Sequence, residues 1–350
     1  MPYIISKGPD IQDIERKQFH ILKVLEDCNG AMGSKLIARR LRNIGIELDE
    51  VTVRHYLKMT DERGLTHLVK RHEGRAITEQ GRNELKRALV SDKVGFVIDK
   101  IENLSFRTDF DFKSRRGSVP VNISFFQNHL FGRALDAMKT VFEKGLCVSD
   151  LVCVAEAGQR IGEYVVPESM TGLATVCGIV INAALLHANI PINSKFDGVL
   201  QIREGRPLRF IELIYYSGSS LDPSEIFIRA GMTSVNQVRI SGNGEVLANY
   251  REIPGACLQL TREIIAKLQD AGIGGVFLIG GISERVCQVP VDVNRVGVVL
   301  IGGLNPVAAA HETGIESENH AMSTLVDYQD LIHFTRVYEE RNSIPSLKNR

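Results

Sequence analysis

The chain has no tryptophan, no Cys-x-x-Cys pair, and no apolar run approaching the ~20 residues that a membrane helix needs. Six cysteines spread over 350 residues (Cys28, Cys147, Cys153, Cys177, Cys257, Cys287) have neither zinc-ligand spacing nor the density of a disulfide scaffold. Reduced, mostly buried thiols are expected, with no metal and no cofactor. The start, MPYIISKGPDIQDIER, lacks the apolar stretch of a signal peptide, which predicts a cytoplasmic protein without a membrane partner. Net charge is also absent, 42 basic residues against 42 acidic. That balance excludes a uniformly basic or acidic protein but conceals a gradient.

Residues 1–90 carry 17 Lys and Arg against 13 Asp and Glu, and residues 91–350 carry 25 against 29, so +4 on the first part offsets −4 on the second. From Arg16 to Arg87 the count is 16 against 10, with four histidines besides. A basic excess that local is the footprint of a polyanion-binding module. With 44% hydrophobic residues the rest of the composition is ordinary for a globular chain, and the length predicts two or three folded units.

The periodicity of the basic part predicts three short helices and a ribbon. Ile14, Ile21, Leu22, Val24 and Leu25 share one helical face, and the glycines of CNGAMG stop it. Ser34 stands where an N-cap belongs, before KLIARRLRNIG, which Gly45 closes. Asp49 can cap a third helix that turns Val53, Tyr56, Leu57 and Thr60 inward and Thr52, Arg54, His55 and Lys58 outward, with Gly64 at its end. LTHLVKRHEGRAI then reads as a hairpin, followed by a helix from about Thr78. This order is that of a winged helix-turn-helix, whose third helix enters the major groove. On that reading Thr52, Arg54, His55 and Lys58 contact bases and groove phosphates, Lys70, Arg71, His72 and Arg75 on the wing meet phosphates, and Arg39, Arg40 and Arg42 flank the backbone.

Beyond residue 90 short apolar runs (LVCVAEAG, GVLQI, RFIELIYYSG, GVFLIGG, GVVLIGG) alternate with helical stretches such as GRALDAMKTVFEKG and LQLTREIIAKLQDAG. A larger α/β (mixed α+β) domain with buried strands is expected over 91–335, with a tail from 336 to 350. GGVFLIGGISE and VGVVLIGGLNP resemble each other, without a strict repeat. No phosphate-binding loop, dinucleotide fingerprint, nucleophile elbow or zinc-helix motif is present, so no enzyme is indicated. Cys177, in GLATVCGIVINAALL, lacks a histidine placed to activate it and reads as a thiol packed in an apolar helix; His311, Glu312, Glu316 and His320 lack a fixed metal-binding spacing. The glycine- and hydroxyl-rich strand ends at 216–220, 279–284 and 301–306 expose N–H groups suited to a carboxylate or phosphate. A DNA-binding head on such a body has the layout of a ligand-sensing regulator. Two rivals stay open: an α/β enzyme of small carboxylates with an autoregulatory winged helix, and a co-regulator whose head contacts a transcription factor.

The chain resembles the NrpR family of archaeal nitrogen regulatory repressors. The resemblance is carried by VRHYLKMTDERGL and GRAITEQG in the head, and by RGSVPVNISFF, GLATVCGIVINAALLHANIPI, FDGVLQIREGRPLRFIELIYYSGSSLDPSEIFIRAGMTSV and VGVVLIGGLNPVAAAHE in the body. It implies a homodimeric repressor of nitrogen-assimilation genes, bound to double-stranded operator DNA and released by 2-oxoglutarate. It also implies effector contacts around Thr175 and Cys177, with Gly280, Gly281 and Ser283 of one loop and Gly302, Gly303 and Asn305 of another as neighbours. Some relatives carry two regulatory domains in tandem, whereas about 260 residues accommodate one. That single-domain form implies a separate NrpR-type subunit as a further partner, whereas on the rival co-regulator reading the head's partner is a basal transcription factor.

Overall fold

The structure, a computed structural model, describes residues 11–28, 30–70, 72–87 and 96–342. It divides into two compact units, Met1–Val94 and Gly95–Arg350.

In the smaller unit α1 (Ile11–Cys28), α2 (Ser34–Asn43) and α3 (Glu50–Glu62) precede the ribbon β1 (Thr66–Lys70) and β2 (Gly74–Ile77), and α4 (Glu79–Arg87) follows. Ile21, Leu22, Leu25, Ile37, Leu41, Val53 and Leu57 form its core, because the 3.6-residue period stacks them on the facing sides of three helices. Asp49 caps α3 by accepting the Thr52 N–H at 2.6 Å. Ser34 does not cap α2. Gly33 holds that position, and Ser34 Oγ donates instead to Glu50 at 3.2 Å. Met32 pairs with Arg75 as an extra rung on the ribbon, and a Cβ on Gly74 would lie 2.2 Å from the Met32 carbonyl oxygen, so only glycine permits that approach.

The larger unit opens with α5 (Phe96–Arg107). Next come β3 (Ser118–Gln127), α6 (Asn128–Glu143), β4 (Leu151–Ala155), the small hairpin β5 (Arg160–Ile161) and β6 (Tyr164–Val165), β7 (Met170–Val176) and α7 (Ile179–His187). After β8 (Asn193–Arg203), β9 (Arg206–Tyr215), α8 (Pro223–Arg229) and α9 (Val235–Ser241), the series continues with β10 (Gly244–Pro254), α10 (Leu258–Asp270), β11 (Val276–Ile282), β12 (Arg295–Ile301) and α11 (Asn305–His311). It ends with β13 (Glu318–Asp327), β14 (Ile332–His333) and α12 (Phe334–Asn342).

Two five-stranded sheets result, ordered β13-β3-β7-β4-β14 and β11-β12-β10-β8-β9, and every described pairing within them is antiparallel. The mixed α/β class read from the sequence holds. Three details differ. β9 is an edge strand rather than a buried one, with Leu208, Ile211, Leu213 and Tyr215 exposed. Cys177 lies between β7 and α7, not inside a helix. Residues up to Asn342 of the expected tail belong to α12, whose Phe334 ring stacks on Phe142 with centroids 4.1 Å apart, while 343–350 fall outside the described residues.

The series β3-α6-β4-β7-α7 recurs as β10-α10-β11-β12-α11 with the same pairings, a relation that the sequence conceals. Gly172, Cys177, Gly178 and Asp197 stand 125 positions before Gly297, Gly302, Gly303 and Met322. Cys177 N–H donates to Pro120 O at 2.9 Å where Gly302 N–H donates to Leu247 O at 2.8 Å. A Cβ on Gly172 would lie 3.0 Å from Ile161, and one on Gly297 would lie 3.0 Å from Val286. The strand after each half is exchanged: β8 follows α7 but pairs with β10, and β13 follows α11 but pairs with β3. The two halves are thereby laced together, with a seam between them.

Candidate functional site

A candidate site stands on each unit. On the smaller, α3 buries Val53, Tyr56, Leu57 and Thr60 and turns Arg54, His55 and Lys58 to solvent, with Thr52 half-buried beside its cap. The outward cations are not idle. Arg54 Nη2 lies 2.5 Å from Glu50, Lys58 Nζ lies 4.0 Å from Glu62, and Lys70 Nζ on the wing lies 2.6 Å from Glu73. With Arg54 and Lys58 side chains 62% and 76% exposed, these are solvated pairs that a phosphate or base edge can displace at small cost.

Arg75 differs. Its Nε is 2.6 Å from Asp61, which also accepts from Thr66 Oγ1 at 2.6 Å, while Thr66 shares a 2.8 Å hydrogen bond with the buried Thr60. This network fastens the ribbon to the end of α3, so Arg75 orients the wing. Arg39 is exposed on α2, Arg40 is half-buried, and Arg71 falls outside the described residues.

On the larger unit the seam encloses a cavity of about 30 Å³. Cys177 and Gly178 border it from the β7–α7 junction, Gly303 and Leu304 from the equivalent junction before α11, and Asn122 and Asn249 from the equivalent strands β3 and β10. The charged residues of the lining are Asp197 on β8, Arg251 on β10, and Asp222 ahead of α8. Met322, the counterpart of Asp197, is apolar, so the seam is symmetric in backbone and asymmetric in chemistry.

Asp197 is 2% exposed and accepts from Asn249 Nδ2 at 3.1 Å, Gly198 N–H at 2.9 Å and the Ser224 hydroxyl. Burial pushes its carboxyl up to about 6, against the pull of those donors. Asp222 caps α8 through Glu225 N–H at 3.2 Å, and burial together with the charges of Glu225 and Asp197 pushes it to about 8. Arg251, also 2% exposed, donates to Gly178 O and Ser194 Oγ, both at 3.3 Å, and burial lowers its pKa. Lys100 Nζ and Glu225 Oε1 grip the two backbone polar groups of Ala321 on β13, both at 2.8 Å. Burial raises the Cys177 thiol to about 11, so it packs rather than attacks.

Of the effector contacts that the resemblance implies, the fold brings Cys177 and Gly303 into the wall of the cavity. Thr175 is one layer back, within 3.4 Å of Asn122 Nδ2. Gly302 is pressed against Leu247, and Asn305 brackets both polar backbone atoms of Leu247 at 2.8 and 3.0 Å, which makes it a strut. Gly280, Gly281 and Ser283 are not brought there. β11 runs antiparallel to β12 with Val276 beside Leu300 and Ile282 beside Val296, so that loop lies at the opposite end of the sheet, about 20 Å away at the usual rise per residue. Asp197, Asp222, Asn249 and Arg251 went unread. The signal was VLANYREI itself, a strand that sets Asn249, Arg251 and Glu252 among apolar residues, where a buried arginine demands a partner.

A family model described as NrpR regulatory domains NRD1 and 2 matches residues 94–333. The chain is also 37% identical to the global nitrogen regulator NrpRI of Methanosarcina mazei, over 91% of this chain and 98% of that protein. It belongs to the NrpR family. A second model, the ribonuclease R winged-helix domain, matches residues 19–85 and agrees with the three helices and ribbon of the smaller unit. The global nitrogen regulator NrpR of Methanocaldococcus jannaschii is 30% identical over 91% of this chain. This NrpR-family chain spans about half (55%) of that relative. A crystal structure of a nitrogen repressor-like protein from Methanococcus jannaschii superposes with a TM-score of 0.58 at 27% identity, covering 68% of this chain and 98% of that one. The seam and its exchanged strands thus belong to a regulator family. Among the described residues no helix is long and apolar enough to cross a membrane.

Proposed function

We propose that this chain is a transcriptional repressor that grips double-stranded operator DNA through α3 and the wing, and lets go when 2-oxoglutarate enters the seam of the larger unit. The observation that carries the DNA half is the exposed row Arg54, His55 and Lys58 on the third helix of a winged helix-turn-helix. The names of the relatives support nitrogen control as the physiological setting. In the seam, the Arg251 guanidinium and the backbone of the β7–α7 junction are suited to a carboxylate. The cavity has room for about one water, so a dicarboxylate enters only as the halves move apart.

That requirement supplies a switch. Effector favours the parted arrangement, and a tenfold loss of operator affinity needs only about 1.4 kcal/mol of difference between the two states. A homodimer, with two heads matched to a two-fold operator, turns a change within each larger unit into a change in DNA fit. The test is titration of a labelled duplex from the regulated promoter with the purified chain, with and without millimolar 2-oxoglutarate. Tight binding that weakens with effector is expected; operator affinity indifferent to 2-oxoglutarate removes the effector half, and no duplex affinity in low salt removes the repressor reading.

A further inference from the structure

The chemistry of the seam is at odds with a bare anion. Three carboxylates converge there: Asp197 from β8, Asp222 from the turn before α8, and Glu225 from α8 itself. Two cations face them, Arg251 from β10 and Lys100 from α5. The remaining groups, Asn249 and Asn122 from the central strands, Ser224, Tyr216 and Cys177, are neutral when the thiol and phenol stay protonated. With Asp222 holding its proton, Asp197 and Glu225 are balanced by Arg251 and Lys100, and seating a dicarboxylate would bring the cluster to −2. Among largely buried groups such an excess is not carried as free charge, and the group that can take a proton takes one.

Asp197 is the group placed to do so. It lies against the cavity and is already short of compensation, since the three donors named above are neutral and Arg251 acts on it only through space. Resting on the reading that the seam is the effector site, we propose that it takes its anion together with a proton, which passes from solvent to a carboxylate oxygen of Asp197 as the anion seats against Arg251. The incoming charge raises the proton affinity of Asp197, and the neutral acid gains a hydroxyl that can donate to the ligand. Because burial already holds Asp197 near 6, the empty protein is ionised at that position at pH 7.5 and has a full proton to accept, whereas at pH 5.5 it is largely protonated beforehand. Effector affinity should therefore fall about tenfold per pH unit above 7 and flatten below 6. Nitrogen status would be read together with proton concentration.

Calorimetric titration of the full chain with 2-oxoglutarate at pH 7.5, in phosphate and in Tris, tests this directly, because the two buffers release protons with different heats. The expected result is an apparent enthalpy that differs between buffers by about one proton per ligand, and the slope vanishes in Asp197→Asn. Equal heats in both buffers with binding intact overturn the coupling. A slope that survives Asp197→Asn overturns the assignment to that residue. No binding in either buffer overturns the earlier reading of the seam, and the wild-type comparison stands even if the variant folds poorly.

Discussion

On the smaller unit Arg54, Lys58 and Lys70 stand in solvent, each beside a glutamate three or four residues away; in the larger unit Asp197 and Arg251 are walled in by strands exchanged between two halves. The same charges carry different consequences in the two places. A solvated ion pair contributes little and exchanges partners readily, which suits the polyanion binding proposed for the smaller unit. A buried charge is costly to strand, which suits the effector response proposed for the larger. Substitutions should accordingly act on binding in the smaller unit and on folding or effector response in the larger.

The largest effect is expected from Arg251→Leu. The change removes the donor to Gly178 O and Ser194 Oγ and leaves Asp197 without its neighbouring cation, for a loss of about 3 kcal/mol in chemical denaturation. A loss below 1 kcal/mol would mean that the buried charge is better solvated than its 2% exposure indicates.

Next comes Arg54→Ala. On operator it should cost about 1–3 kcal/mol and flatten sequence preference, while Lys70→Ala on the wing weakens operator and random duplex alike. Competition assays with both duplexes decide it. Equal losses on the two duplexes from Arg54→Ala would make Arg54 a phosphate contact and blur the division between reader helix and wing.

These residues also mark what the sequence could and could not disclose. The outward face of α3 was legible because helical period alone fixes which of thirteen residues point inward, and Asp49 and Gly64 marked its ends. Arg75 looked like its wing neighbours, since nothing local announces Asp61 fourteen positions earlier. The seam is a long-range product. Asn122, Cys177, Asp197 and Arg251 meet only because β8 and β13 cross between halves, and a repeat in which Gly172 and Gly178 match Gly297 and Gly303 while Cys177 and Asp197 match Gly302 and Met322 is faint in residue identity. Glycine-rich strand ends misled for a related reason: IGGISE and IGGLNP look alike, but neighbouring antiparallel strands put them at opposite ends of one sheet.

A pH comparison sharpens the contrast further. Asp222 is raised to about 8 in the folded chain, far above its value when unfolded. The folded state therefore keeps a proton that the unfolded state gives up near pH 4. Its stabilisation is complete below that pH and drains away as pH rises toward 8. Asp222→Asn retains the cap on α8 and cannot ionise, so its melting temperature should exceed the wild type's at pH 8.5 and match it at pH 4. A gain of the same size at both values would point to packing instead of charge.

The smallest effect is the one that probes the surface most finely. Glu50 holds Arg54 at 2.5 Å and also accepts from Ser34 Oγ, so it ties α2 to α3 and, on the proposed reading, competes with DNA for the guanidinium. In Glu50→Gln the amide keeps an acceptor for Ser34 but loses the charge that retains Arg54. Duplex affinity at low salt should then rise about two- to fivefold, the range of an exposed ion pair, and the gain should shrink as salt screens the original pair. Fluorescence anisotropy across a salt series reads both quantities. Weaker binding by Glu50→Gln at every salt concentration would show that the pair positions Arg54 for the groove instead of restraining it, and the solvated cations of α3 would then be as pre-arranged as those of the seam.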